Sequence, residues 1–233
     1  MGGVRHFTYY ATEATLSFLT KRQVRMWFLI DRDEHSDDEV VRMEQRLRDK
    51  AKVLILQRRE IENYLVSSPA IAKFIAQKKL SSVTRANDTL PTERNVEIAI
   101  AEVADSLKQV AIAKRVAKEV CKPIYPSRDW TSEPGDEMAI TARIVEEAKA
   151  AIEQLQQMID GVQRVYDEHA AGVSGSWQAT KTSIVPGDLL LDGVFSKFAL
   201  RFHKERDGVR LAALMTESEI DGEIIRLIRE VTA

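Results

Sequence analysis

The chain has 233 residues, 44% of them hydrophobic, and its 34 Lys and Arg against 36 Asp and Glu give a formal charge of −2. That length can bury a substantial core, and the near-neutral balance argues against a protein that coats nucleic acid through an overall basic field. The single Cys121 excludes an internal disulfide and a Cys-based zinc site and suits a reducing compartment, and no apolar run approaches the ~20 residues that span a bilayer; a cytoplasmic protein without a membrane partner is expected.

In chain order, Thr8 reads as the N-cap of a helix whose buried stripe is Tyr10, Ala14, Phe18 and Leu19. Val24 to Ile30 then form a short apolar run that stops abruptly at Asp31, which suits a buried parallel strand. Ser36, with Glu39 three residues on, is a capping box opening a helix with Val40, Met43 and Leu47 on one face. Val53 to Leu56 is a second buried strand. Strand, helix and strand with a short crossover make a βαβ unit, so the two strands should lie parallel in one sheet. The loop after Ile30 and the stretch QRREIENYL after Leu56 therefore leave the sheet at the same edge. Ligands bind at that edge in open α/β sheets.

Four acids, Asp31, Asp33, Glu60 and Glu62, thus converge on one mouth. Carboxylates gathered in this way repel one another unless a cation is present, and Mg²⁺ or Mn²⁺ takes carboxylate oxygens completed by water. A solvated acidic turn is the competing reading of Asp31-Arg32-Asp33 alone. Arg58 and Arg59 would neutralise the acids or grip a phosphate, or simply sit at the surface. Of the four histidines, His6, His35, His169 and His203, none has metal-ligand spacing; His35 lies near the acids.

Ser67-Ser68-Pro69 opens a helix with Ile71, Phe74 and Ile75 inside. From Pro91 the pattern changes to a seven-residue period: Val96, Ile100, Val103, Leu107 and Val110, then, after a break with Pro123, Pro126 and Pro134, Val145, Ala148, Ile152, Leu155, Ile159 and Val162. Two heptad helices and a Pro-rich connector carrying Trp130 predict an antiparallel hairpin, either self-packed or an arm for self-association. Gly172 to Gly175 reads as a link and Ser183-Ile184-Val185 as a short strand returning to the sheet. Pro186-Gly187 turns into a helix with Leu190, Val194, Phe195 and Phe198 inside, and Ile220, Ile224, Ile225 and Ile228 mark a tail helix.

FLIDRDE followed by RREIENYL resembles the TOPRIM nuclease domain of the OLD (overcoming lysogenization defect) family of ATP-dependent endonucleases. GGVRHFTYYATEATLSFL and WQATKTSIVPGDLLLDGVFSKFA are similar to flanking segments of that domain. The resemblance implies an α/β fold with a small parallel sheet flanked by helices and a long helical-hairpin insertion. It divides the chain at 1–90, 91–170 and 171–233, the middle part being the insertion. It implies phosphodiester hydrolysis by a two-metal mechanism on Mg²⁺ or Mn²⁺, with Asp31, Asp33 and Glu62 as ligands, Glu60 as a further catalytic acid and Glu34 in support. DNA is the implied substrate and an ATPase domain or subunit the implied partner. No P-loop motif occurs in the chain, and the chain is expected to be a portion of a longer ATPase–nuclease. Asp188 stands where the family has a Lys after Pro-Gly, which leaves Lys197 or Lys181 to supply the positive charge. The alternative is a catalytically incomplete assembly domain that dimerises through the helical arm.

Overall fold

The computed structural model describes residues 27–47, 52–81, 90–121 and 137–232. The helix expected over Thr8–Leu19, the start of the first strand at Val24 and the Pro-rich connector with Trp130 lie outside them. The described residues are mostly helical, with eight α-helices and one two-stranded parallel sheet. Strand β1 is Trp27–Ile30 and β2 is Lys52–Ile55, joined by α1, Asp37–Leu47. The strands pair from Trp27↔Lys52 to Ile30↔Ile55, and the Leu56 amide extends the ladder by donating to the Ile30 carbonyl at 3.0 Å. The βαβ reading therefore holds. The capping box holds too, since Ser36 N–H donates to Glu39 Oε2 at 2.9 Å and Glu39 N–H to Ser36 Oγ at 3.3 Å.

A 3₁₀ turn, Ile61–Leu65, follows β2 and leads to α2, Ser68–Ser81. Helix α3 is Glu93–Ser106, α4 Lys108–Val120, α5 Glu137–Ile184, α6 Gly187–Lys197, α7 Lys204–Ala212 and α8 Gly222–Thr232. The chain divides into two compact units, one running up to Lys108 and resuming at Gln178, the other Gln109–Trp177. In the first unit the core is built by α2, α3, α6 and α7 around Ile71, Phe74, Ile75, Val96, Leu190, Phe195 and Leu211, all fully buried. Phe74 meets Phe195 edge-on at 5.7 Å, and the Phe202 ring lies 5.2 Å from that of Phe195. Helices α3 and α6 approach so closely that a Cβ on Gly193 would stand 2.6 Å from a Val103 methyl; only glycine permits that spacing. In the second unit Tyr166 Oη donates to Gln109 Oε1 at 2.9 Å, His169 Nε2 lies 2.9 Å from Glu119 Oε2, and Val165, Val173 and Trp177 are buried.

Three expectations need correction. The first heptad helix does not run through Leu107: α3 ends at Ser106, whose hydroxyl donates back to the Val103 carbonyl at 2.7 Å. A Ser hydroxyl bonded back to a helical carbonyl favours a bend, and the Leu107 amide is shared there between the Val103 and Ala104 carbonyls at 3.1 Å each. Gly172 to Gly175 is no link and Ser183-Ile184-Val185 no strand, because Gly172–Gly175, Ser183 and Ile184 belong to the 48-residue α5 and Val185 follows its end. Each helical Gly costs ~1 kcal/mol against Ala, too little to interrupt a helix anchored by Val173 and Trp177, and the stop comes only at Pro186. The second heptad stripe, open in the sequence to self-packing or to self-association, is exposed along its N-terminal half at Val145, Ile152, Leu155 and Ile159.

Candidate functional site

The loop after β1 and the turn after β2 are stitched together by backbone groups. Asp31 Oδ1 accepts the Ile61 amide at 2.9 Å, and the Asp33 amide donates to the Arg59 carbonyl at 2.9 Å. Asp33 has φ 47°, a left-handed conformation that costs a non-glycine residue ~1–2 kcal/mol and that Asp tolerates better than most. The tight turn at Arg32–His35, closed by the His35 amide on the Arg32 carbonyl at 2.9 Å, holds it there.

Glu60 opens the 3₁₀ turn, and its Oε2 accepts the amides of Gly187 at 2.8 Å and Asp188 at 3.3 Å. A carboxylate on the first amides of α6 complements the positive end of the helix. Asn63 fixes the turn from inside: its Oδ1 accepts the Glu60 amide at 2.8 Å and its Nδ2 donates to the carbonyls of Thr182 and Val185 at 2.8 and 3.0 Å. On the outer side, Arg58 N–H donates to Tyr64 Oη at 3.0 Å, Tyr64 Oη donates to Glu223, and Arg58 pairs with Asp221 at 2.6 Å. Burial and the Glu223 carboxylate push the Tyr64 hydroxyl well above its ordinary pKa. The start of α8 thus clamps the turn that carries the acids.

Glu62 is the centre of the arrangement. It is 2% exposed, its Oε1 meets Lys204 Nζ at 2.7 Å, and its Oε2 has no partner. Lys204 begins α7, and the carboxylates of Glu62, Asp31 and Glu60 overcome the effect of its partial burial and raise its pKa. Arg59, 6% exposed, lies between Glu34 and Glu60. Burial raises the Asp31 carboxyl, opposed by the Ile61 amide and reinforced by the charge of Asp33; Lys204 and Arg59 pull the other way. Burial likewise raises Glu60, with Arg59 opposing and Asp188 adding repulsion. Asp31, Glu34, Glu60 and Glu62 therefore share the charges of Arg59 and Lys204, with Asp33 acting on Asp31 and Asp188 on Glu60.

The structure brings together Asp31, Glu60 and Glu62, as their spacing beyond two parallel strands requires, and Asp33 acts electrostatically on Asp31. It does not bring Lys197 or Lys181 to them. Lys197 pairs with Glu102 and Lys181 with Asp105, each at 3.0 Å and each on α3. His35 Nδ1 lies 3.6 Å from Glu39. The lysine at the acids is Lys204, which no motif or periodicity singles out, since it is one of several charged residues at the start of a surface helix. Among the described residues, no three His, Cys, Asp or Glu side chains stand close enough to hold a metal ion by themselves. The donors nonetheless fit a hard divalent cation, being carboxylate oxygens in excess of local positive charge with one buried oxygen unpaired. Mg²⁺ is commonly held by one or two carboxylates, with water and substrate phosphate as the other ligands.

Comparison with protein-family models, characterised proteins and solved structures finds no match.

Among the described residues, no helix is long and apolar enough to cross a membrane.

Proposed function

We propose that the first unit is a TOPRIM-like, Mg²⁺- or Mn²⁺-dependent nuclease domain with the second unit inserted into it, acting on DNA phosphodiesters as part of an ATPase–nuclease. The observation that carries this reading is the buried Glu62 carboxylate with an unpaired Oε2, which shares Lys204 with Asp31 at the carboxyl end of a parallel strand. Asp31 and Glu62 would hold the cation, with Asp33 adjoining, and the bound ion would supply Lewis-acid stabilisation of the phosphoryl oxygens and a more acidic water. Glu60 serves a different end: it is committed to the Gly187 and Asp188 amides and to Arg59, so it positions the Glu62 turn against α6. Arg59 holds Glu34 and Glu60 apart from the ion. Lys204, 57% exposed at its side chain, balances Glu62 in the resting protein and is the cation within reach of a bound phosphate, the role expected of Lys197 or Lys181. The direct experiment is cleavage of supercoiled plasmid and single-stranded DNA by the purified chain with Mn²⁺. Metal-dependent cutting that disappears in Asp31→Ala supports the reading, and cutting that persists in Asp31→Ala defeats it.

The Lys204–Glu62 pair favours a second reading, in which the ammonium permanently replaces a metal and the domain serves assembly. Cation binding that is absent in wild type and appears only in Lys204→Met would select it.

A further inference from the structure

Helix α5 carries an apolar stripe that no described residue of its own unit covers. Met138, Val145, Ile152 and Ile159 recur at every seventh residue and are 81, 50, 67 and 55% exposed; Leu155 and Val162, each three positions further on, are 47 and 37% exposed. Ile144, 41% exposed, widens the band. From Met138 to Val162 the stripe is about 36 Å long at 1.5 Å per residue. These seven side chains present on the order of 700 Å² of apolar surface, above the roughly 300–600 Å² of the largest patch on a typical monomer.

We infer that this stripe is the self-association surface of the protein, with a second copy of the same helix as its occupant in antiparallel orientation. Three observations select a second copy. Two stripes meeting along their full length would bury up to about 1,400 Å², against the roughly 1,200–2,000 Å² of stable interfaces. Of the eight positions flanking the stripe between Ala142 and Val165, only Lys149 is charged, so two identical faces meet without like-charge repulsion and offer little to a strongly charged partner. The acids Glu146, Glu153 and Asp160 lie on the next row out. The third observation is size complementarity. A two-fold axis beside residues 153 and 154 layers Ile152 on Leu155 and Val145 on Val162 and sets the small Ala148 against the large Ile159, whereas a parallel pair would set Ala148 against Ala148 and leave a void. An interface related by such an axis closes on itself as a dimer.

The test is sedimentation equilibrium of the full chain over a wide concentration range, with Ile152→Asp/Leu155→Asp as the disrupting variant and Ala150→Asp, on the opposite face, as the control. Far-UV circular dichroism of each verifies that the helices are retained. A wild-type and control mass of twice the chain, falling to a single chain in the double variant, is the expected result. A monomeric wild type overturns the inference, and so does a dimer that survives Ile152→Asp/Leu155→Asp. Orientation is read in a Cys121→Ser background: Ala148→Cys chains mixed with Ile159→Cys chains cross-link to each other if the helices run antiparallel. Cross-linking of Ala148→Cys with itself would overturn that orientation.

Discussion

Gly187 is the first residue of α6, and a methyl group there tests whether the acid-bearing turn is positioned by packing. A Cβ at this position would stand 2.8 Å from the Asn63 amide nitrogen, 2.9 Å from Asn63 Oδ1 and 2.9 Å from Glu62 Cβ. Ordinary contact begins near 3.4 Å, so the turn and the helix must separate by about half an ångström. One of the three obstructing atoms is backbone, and Asn63 is held by the Thr182 and Val185 carbonyls, so rotation of a side chain cannot absorb the clash. Overpacking of this kind costs ~1–3 kcal/mol, about 3–10 °C in Tm for a chain of this size. The same movement lengthens the Gly187 N–H bond to Glu60 Oε2 and shifts Glu62. Disturbing a group that orients a ligand typically weakens metal binding 10–100-fold, so Mn²⁺ affinity in Gly187→Ala should fall about tenfold or more. The assay pairs a thermal melt with Mn²⁺ titration by calorimetry. Unchanged Tm and unchanged affinity would refute the claim that α6 and the Ile61–Leu65 turn are locked together.

Asp207 is fully buried and accepts from Lys78, Arg206 and the His203 amide; these donors outweigh burial and hold its carboxyl at about 2, below the ordinary 3.8. Stability from this group is therefore complete above its unfolded pKa near 3.8 and is lost as pH falls through 2, on the order of 2 kcal/mol in urea denaturation, and a flat profile below pH 4 in wild type minus Asp207→Asn would contradict it. At Gly172, a Cβ meets nothing within 4 Å, so Gly172→Ala should stabilise the helix by ~0.5–1 kcal/mol; a lowered melting point would show that the helix is not continuous there. Lys204→Met leaves the buried Glu62 carboxylate without its counter-ion, so the metal-free melting point should drop and saturating Mn²⁺ should raise it by more than in wild type. Equal increments would separate Lys204 from the cation site.

What was legible in the sequence was local and periodic. Trp27–Ile30 and Lys52–Ile55 were readable because an apolar run ending in charge has few other uses, and the capping box marked α1. Their parallel pairing then followed from the short crossover, and with it the meeting of Asp31 with Glu60 and Glu62. What escaped depends on partners far apart in the chain. Lys204 reaches Glu62 across 142 residues, Glu223 and Asp221 reach Gln57 and Arg58 across more than 160, and no spacing rule anticipates them. The break at Ser106 and the passage of α5 through three glycines turn on small energies that tertiary contacts decide. Lys181 and Lys197 were expected from the resemblance, to replace the lysine absent at Asp188, but they spend their charge on α3.

The cation site is tested most directly by calorimetric titration of Mn²⁺ into the wild-type chain and into Asp31→Asn/Glu62→Gln, both checked for folding by their melts. A saturable site is expected in wild type, with an affinity that falls at least tenfold in the double variant. Equal affinity in the two proteins would place any bound cation elsewhere and leave the acids at the end of β1 as structural partners of Lys204 and Arg59.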